Sequence, residues 1–244
     1  MAAPIQKLAR IACQCFSRKQ HDTVFKEQMN NLKLALNSIT AKDVNFDPKS
    51  VTDRTSEHDA PVTYVHIWED DIFTMGIFVV KSGGKLPMHD HPNMYGFCKV
   101  IHGSVHLKSY SLVSDQNIPE DVEKKLHLWQ KPLVRSVGLR QDQVITSNDD
   151  CCFLSPSDGN IHEIQSAGGV AAFLDILAPP YNNSQSRDCH YYKELPMSGI
   201  LGNKNVESAS IENSKPTIRW FMQVPQPHEY WCDTLDYRGP PLIV

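Results

Sequence analysis

The sequence predicts a domain dominated by β-strands, an antiparallel sandwich or barrel, with α-helices at its amino-terminal end. Two observations support this fold class. From residue 62 onward, short β-type runs follow one another closely and are bounded by Gly, Pro, Asp or Ser, without the helices that would separate parallel strands. Before residue 43, apolar residues instead recur at spacings of three and four, which is the period of an amphipathic helix.

The amino-terminal region divides into a helical part and a connector. Residues 1–42 should be helical, because five apolar residues follow the helical period: Phe25, Met29, Leu32, Leu36 and Ile39. Residues 43–60 are polar and rich in turn-forming residues. We therefore expect a helical extension and connector over residues 1–60 and a β-domain over residues 61–244.

Within the β-domain, eight segments have the composition of strands: 62–68, 73–80, 96–101, 104–110, 144–146, 152–154, 162–165 and 171–177. Residues 111–135 are charged and weakly periodic, so they should form a surface excursion between two strands. Residues 197–216 are rich in Ser, Asn, Gly and Lys and should form a mobile loop. The tail interleaves aromatic residues with prolines, which indicates a final strand and an extended wrap.

Composition argues against several classes of function. The 244 residues carry a formal charge of −4 and no long basic run, so neither nucleic acid nor a membrane surface is an expected partner. No apolar run approaches the roughly 18 residues of a membrane span. Seven cysteines without a CxxC pair fit reduced thiols, and we expect a cytoplasmic monomer. Basic residues among the first twenty keep a mitochondrial presequence open as an alternative to a packed helix, and a nuclear location is open as well.

Three histidines form a candidate metal site. His89 and His91 are two positions apart, so on an extended strand both side chains point to one side, whereas Asp90 points away toward the surface or a turn. His162 lies in a second strand-like segment, after a Pro/Gly turn. Imidazole suits iron, zinc, copper and nickel, and three such ligands leave positions open on an octahedral ion. The pattern predicts a metal centre; three unrelated histidines are the alternative.

The flanking glycines give these histidines a recognisable spacing. Gly83, His89, His91, Gly96 and Gly103 resemble the first cupin motif, except that Gly96 stands where cupins commonly have a glutamate. The segment 156–162 resembles the second cupin motif, with one extra residue between its Pro and its Gly. This resemblance implies a cupin double-stranded β-helix, or jelly roll, in which three histidines hold the metal.

A closer resemblance covers the chain from about residue 62 to its end. Segments 86–94, 160–162, 173–181 and 187–192 look like the signatures of the cysteamine dioxygenase and plant cysteine oxidase family of thiol dioxygenases. The resemblance implies non-haem Fe(II), O2 as co-substrate, and oxidation of an aminothiol to its sulfinic acid. The implied substrates are cysteamine, giving hypotaurine, and the N-terminal cysteine of proteins, which would link O2 to protein turnover through N-degrons.

Elementary chemistry is consistent with this assignment. Three neutral imidazoles leave the charge of Fe(II) uncompensated, so a thiolate is attracted, and the missing carboxylate at Gly96 strengthens that effect. Oxidation of a thiol to a sulfinic acid absorbs both atoms of O2 and needs no external reductant. The alternative from another class is a non-catalytic metal-binding cupin that acts as a regulatory or interaction module. A metal-dependent isomerase or a dioxygenase of carbon substrates is a third reading.

Four further residues are candidate catalytic groups. Asp175 lies in an apolar strand, where a carboxylate is costly unless paired, so it should orient a histidine or bind the substrate amine; a structural hydrogen bond is the alternative. The resemblance places Tyr181, which follows a Pro-Pro pair, at the pocket. Cys189 and Tyr191 would share one face of a strand, and the resemblance makes them candidates for a thioether crosslink. Ordinary packing is the alternative for these last three.

Overall fold

Two helices begin the part of the chain that the computed structural model describes, which comprises residues 2–17, 21–51, 53–56, 58–114, 117–196 and 218–243. They are α1 (Pro4–Phe16) and α2 (Asp22–Asn37), and they confirm the predicted amino-terminal helices. Pro4 lies in the first turn of α1, where a missing backbone N–H costs no hydrogen bond. The apolar side chains that α1 buries are those of Ile5, Leu8, Ala9, Ala12 and Cys15.

The described residues contain twelve strands, which are β1 (Val62–Glu69), β2 (Thr74–Val80), β3 (Lys85–His89), β4 (Tyr95–His102), β5 (Ser104–Leu112), β6 (Val134–Thr146), β7 (Cys152–Leu154), β8 (Ile161–Ser166), β9 (Ala171–Ala178), β10 (Tyr191–Glu194), β11 (Ile218–Val224) and β12 (Cys232–Leu235). They also contain a short helix, α3 (Glu120–Glu123), and 3-10 turns at Ala41–Val44, Pro48–Ser50, Leu128–Leu133 and Asn183–Gln185. Strands therefore dominate the chain after residue 61, as predicted.

The strands form two layers. One sheet has the order β12-β1-β2-β9-β4-β7, in which β1 and β12 run parallel and the other neighbours antiparallel. The other six strands, β10-β11-β6-β5-β8-β3, close on themselves through a contact between Tyr191 of β10 and His89 of β3. The chain crosses repeatedly from one layer to the other, and this connectivity gives the predicted cupin double-stranded β-helix.

The first sheet separates two apolar regions because side chains alternate along each strand. On its outer side, Leu174 of β9 joins Ile77 and Phe97 in one cluster with the buried faces of α1 and α2. On its inner side, Phe173 of β9 packs with Leu86 and other residues of the second layer. The helices therefore cover the sheet from outside, while the space between the layers is left for a site. The division of the chain at residue 60 stays a prediction.

Several segments differ from the predicted ones. Strand β6 begins at Val134, ten residues before the predicted 144–146. Its first five residues pair with β11, and its more polar remainder pairs with β5. Strand β3 ends at His89, so His91 lies just beyond it. The tail contains two strands, β11 and β12, where one was predicted.

Two long loops were predicted, at residues 111–135 and 197–216. Residues 113–133, within the predicted excursion 111–135, connect β5 to β6 through α3 and a 3-10 turn. The predicted mobile loop at 197–216 lies outside the described residues. Among the described helices, none has the length and apolarity needed to cross a membrane.

Candidate metal centre

The structure brings the three predicted histidines together. His89 ends β3, His91 follows it by two residues, and His162 lies on the neighbouring strand β8, directly opposite His89. One ring nitrogen from each histidine lies within 4.8 Å of the corresponding nitrogen of the other two. All three residues are at least nine-tenths buried. Because His89 and His162 are directly opposite each other on paired strands, the sheet itself fixes the separation of these two side chains.

An asparagine holds His91 although β3 has already ended. The backbone N–H of His91 donates to Oδ1 of Asn160 at 3.0 Å, and Nδ2 of Asn160 donates to the carbonyl of His91 at 2.8 Å. Nδ2 also donates to the carbonyl of Ser155 at 2.9 Å. Asn160 thus joins the segment that carries His91 to the turn before His162. In the sequence, the only sign of this role of Asn160 was that it belongs to segment 160–162, one of the segments that resemble the family signatures.

Two of the rings have fixed tautomers. Nδ1 of His89 lies 2.7 Å from the carbonyl of Pro87, which can only accept, so this nitrogen carries the proton. Nδ1 of His91 lies 2.7 Å from the hydroxyl oxygen of Tyr181, and the Tyr181 O–H donates to the carbonyl of Asp90 at 2.7 Å. His91 must then donate from Nδ1 to Tyr181. Both histidines keep an unprotonated Nε2 as the free ligand atom, the arrangement usual for metal-binding histidines.

Burial keeps the three imidazoles neutral. It lowers the pKa of His89, against the opposing effect of the Pro87 carbonyl. Burial also holds the pKa of His91 well below the ordinary value, and the nearby His162 and His89 lower it further. The pKa of His162 is held well below the ordinary value by burial and by His89. Nε2 of His91 lies 3.3 Å from Nε2 of His162, so two protonated rings could not coexist there. Neutral imidazoles are the form that binds a cation, so the donor set fits a divalent transition metal.

Asp90 is buried, so the expectation of a surface position is wrong. Its carboxylate accepts from the Tyr192 hydroxyl at 2.8 Å and from the His190 backbone N–H at 2.9 Å. Because the side chain points away from the rings of His89 and His91, it can contact the chain segment on the other side. Asp90 therefore attaches the metal-binding segment to the beginning of β10.

The three histidines open into a cavity of about 220 Å³ between the two layers. All four candidate catalytic residues lie on its wall, which is formed by Phe78, Leu86, His89, His91, His162, Ile164, Phe173, Asp175, Leu177, Tyr181, Cys189, Tyr191 and Tyr230. Tyr230 was not predicted, because its place in an aromatic tail gave no sign of which strand it would meet. The cavity wall is mainly apolar.

Asp175 is the one carboxylic acid among the described residues of the cavity wall. It shares the inner face of β9 with Phe173 and Leu177, two positions away on either side. Burial alone raises the pKa of Asp175 to about 7, and no hydrogen bond to the described residues opposes this effect. The alternative of a structural hydrogen bond therefore finds no partner in the described part of the chain.

Cys189 interacts with two tyrosines on the same wall. Its thiol forms hydrogen bonds with the hydroxyl groups of Tyr181 and Tyr191. Burial raises the pKa of Cys189 to about 11, and burial together with the nearby thiol raises the pKa of Tyr191. Cys189 precedes β10 and so lies outside a regular strand, yet both side chains reach the cavity. The thioether crosslink stays a prediction.

Gly96 has little room for the carboxylate that cupins commonly place there. A Cβ atom at this position would lie 2.9 Å from Cγ of Leu154, on the paired strand β7, so Leu154 would have to move. The site therefore keeps three neutral ligands and gains no negative charge from β4.

Removing the Tyr181 hydroxyl should weaken metal binding without unfolding the protein. Tyr181→Phe deletes the acceptor for Nδ1 of His91, and loss of such a partner usually costs about 10- to 100-fold in metal affinity. Competition with a chelator measures this loss directly. Tyr237→Phe is the matched control, because the buried Tyr237 hydroxyl has no hydrogen-bond partner among the described residues. Equal metal affinity in the two variants would contradict the positioning role of Tyr181.

Comparison with known proteins agrees with the resemblance seen in the sequence. The PCO_ADO family profile matches residues 35–242. A 2-aminoethanethiol dioxygenase of Homo sapiens is 34% identical over 98% of this chain and 97% of its own length, and the Mus musculus protein of that name is 34% identical over 100% and 98%. Plant cysteine oxidase 2 of Arabidopsis thaliana is 29% identical over 98% of this chain and 83% of its own. With a matching profile over most of its length and full-length relatives above 30% identity, this chain belongs to the PCO_ADO family.

Proposed function

We propose that this protein is a non-haem Fe(II) thiol dioxygenase that converts an aminothiol and O2 to the corresponding sulfinic acid. The substrates are cysteamine, which gives hypotaurine, and the N-terminal cysteine of proteins. The observation that carries this proposal is a cavity whose described wall contains three neutral imidazoles and one partly buried carboxyl group, that of Asp175. The names of the relatives, which are 2-aminoethanethiol dioxygenases and plant cysteine oxidases, support the same substrate class.

His89, His91 and His162 would hold the iron through Nε2 of at least the first two rings. When bound, Fe(II) supplies a redox-active Lewis acid that can take both a sulfur ligand and O2. The chain contributes no charge from these three ligands, and it therefore leaves the site attractive to an anionic thiolate. Overall, RSH and O2 combine to RSO2H, so neither a reductant nor another cofactor is required.

Asp175 would recognise the amine. A carboxylate on an apolar wall is costly, and this cost is offset when a substrate ammonium group pairs with it. Cysteamine and an N-terminal cysteine share the same unit, a thiol two carbons from a primary amine. A metal that takes the sulfur and a carboxylate that takes the nitrogen would select this unit from other thiols.

The tyrosines and Cys189 would shape the remaining wall. Tyr181 is a positioning residue, because it acts on the metal site through His91. Tyr191 and Cys189 line the cavity beside it and stay protonated near neutral pH, so neither adds a negative charge to the wall. We further propose a cytoplasmic monomer whose oxidation of N-terminal cysteines couples O2 to N-degron turnover.

The iron-loaded protein should consume O2 with cysteamine and give a product heavier by two oxygen atoms. Mass spectrometry under 18O2 should place both labelled atoms in the product, because no oxygen comes from water. A peptide with a free N-terminal cysteine should behave in the same way, whereas its N-acetylated form, which lacks the amine, serves as the control. Iron binding without oxygen uptake on either thiol would instead support the non-catalytic metal-binding module.

A further inference from the structure

A second depression lies on the outside of the metal cavity and shares Tyr230 with it. It has a volume of about 690 Å³, within the range of ligand-binding sites, and Lys85, Gln165, His228 and Trp231 contribute to its walls. The metal cavity, at about 220 Å³, is much smaller and suits the aminothiol unit. We call the outer depression the Tyr230 groove.

The turn that forms one wall of the groove is held in place. Nε2 of Gln226 donates to the carbonyl of Tyr230 at 2.9 Å, while the Tyr191 hydroxyl donates to Oε1 of the same glutamine at 3.4 Å. The hydroxyl of Tyr230 also lies 3.4 Å from Sγ of Cys232. The boundary between the groove and the metal cavity is therefore a defined surface, which a ligand would meet already formed.

Lys85 and Pro87 of β3, with the preceding Gly84, also line the groove. One edge of β3 pairs with β8. On the other edge, β10 pairs with β3 only at His89 and Tyr191, and no other described strand pairs there. Gly84 accepts a hydrogen bond from Ser166 at the β8 edge. Because backbone groups alternate sides along a strand, the N–H of Lys85 faces the other edge, toward the groove. Pro87, which has no N–H, occupies the next position with this orientation.

We infer that the Tyr230 groove binds the residues that follow an N-terminal cysteine, as an extended strand added antiparallel to the edge of β3. This inference rests on the proposed function, because it assumes that the amino terminus reaches the metal centre at His89. An added strand uses backbone hydrogen bonds, so many sequences can follow the cysteine. Because β10 already pairs with β3 at His89, the free edge runs from Lys85 to Pro87. It spans about 10 Å, which allows contacts with about three residues of the peptide.

Calorimetric titration of the iron-loaded protein under nitrogen tests the groove without turnover. The probes are peptides of two, four, six and ten residues that begin with cysteine and continue with alternating Thr and Ser. The dissociation constant should fall at least about tenfold between two and six residues and then stay constant, because longer peptides extend beyond the groove. A dissociation constant that is independent of length would overturn the inference.

Two substitutions of one residue separate the backbone contact from the side chain. Lys85→Pro removes the N–H at the free edge, whereas Lys85→Ala removes only the side chain, and both lose the ion pair with Glu163. The length-dependent gain should disappear in Lys85→Pro and persist in Lys85→Ala; equal behaviour of the two would contradict strand addition.

The peptide gives the same test if Lys85→Pro does not fold. N-methylation at one of two neighbouring positions of the six-residue probe should weaken binding at least about tenfold and at the other should not, because alternate N–H groups face β3. Equal effects at both positions would overturn the inference. Failure of the oxygen assay, by contrast, would contradict the proposed function. The peptide-binding results would still show on their own whether the groove binds a peptide.

Discussion

His162→Ala should abolish iron retention and thiol oxidation together. Loss of a hydrogen-bond partner of a ligand already costs about 10- to 100-fold in metal affinity, so loss of a ligand should exceed about 100-fold. The two remaining rings come from one chain segment, and without His162 no ligand is left on β8. Iron content after dialysis against a weak chelator and O2 uptake with cysteamine measure the two effects.

An exposed histidine provides the matched control for this substitution. His66→Ala, on β1 outside the cavity, should leave iron content and oxygen uptake unchanged. His162→Gln keeps most of the side-chain volume and serves if the alanine variant does not fold. Wild-type iron content in a folded His162 variant would show that another residue is the third ligand.

Asp175→Asn should stabilise the metal-free protein at pH 8 while it impairs the reaction. The folded-state pKa of Asp175 is raised from 3.8 to about 7. The folded protein therefore binds more protons than the unfolded chain between these values, and wild-type stability falls as pH rises from about 4 to 7. A difference of about three pH units corresponds to up to about 4 kcal/mol, which asparagine would recover.

Urea unfolding of the metal-free proteins measures this change. The advantage of Asp175→Asn should be present at pH 8 and shrink toward pH 4, where the carboxyl group is protonated in both states. Asp71→Asn, at an exposed position, is the matched control and should change neither stability nor activity. An asparagine variant that is less stable than the wild type at every pH would indicate that the carboxylate makes a structural hydrogen bond.

Asp175→Asn should lower the catalytic activity although it raises the stability of the metal-free protein. A hydrogen bond to a charged group is worth about 1.5–3 kcal/mol, so kcat/KM for cysteamine should fall about 10- to 100-fold in Asp175→Asn. Most of this loss should appear in KM if the carboxylate binds the amine equally in the ground state and the transition state. A gain of stability together with a loss of activity is the signature of a polar group kept for function.

Local sequence patterns were sufficient for much of the fold and for the choice of the three histidines that the structure brings together. The spacing of three and four before residue 43 predicted α1 and α2, and strands β2, β4 and β7 began within one residue of the predicted segments. The information in the histidine pattern is also local, because two of the histidines are two residues apart and the third follows a Pro/Gly turn. Strand β6 was underestimated because its exposed half is held by pairing with β5, which side-chain composition does not report.

The second set of contacts around the histidines required the tertiary structure. Tyr181 contacts His91 across 90 residues of chain, and Asp90 meets Tyr192 across 102. Neither pairing could be read from composition, because both depend on how β10 returns beside β3. The same is true of Tyr230, which forms part of the cavity wall only because the turn before β12 lies against Tyr191.

By itself, then, the sequence determined the fold class, the three histidines that line one cavity and the absence of a carboxylate at Gly96. The tertiary structure decided which nitrogens of His89 and His91 are free for a metal, that Asp175 is partly buried with no hydrogen-bond partner among the described residues, and that β3 adjoins a groove. The physical reason is the range of the interactions involved. Periodicity and turn chemistry act over a few residues, whereas tautomers, burial and strand edges are set by neighbours that are distant in the chain.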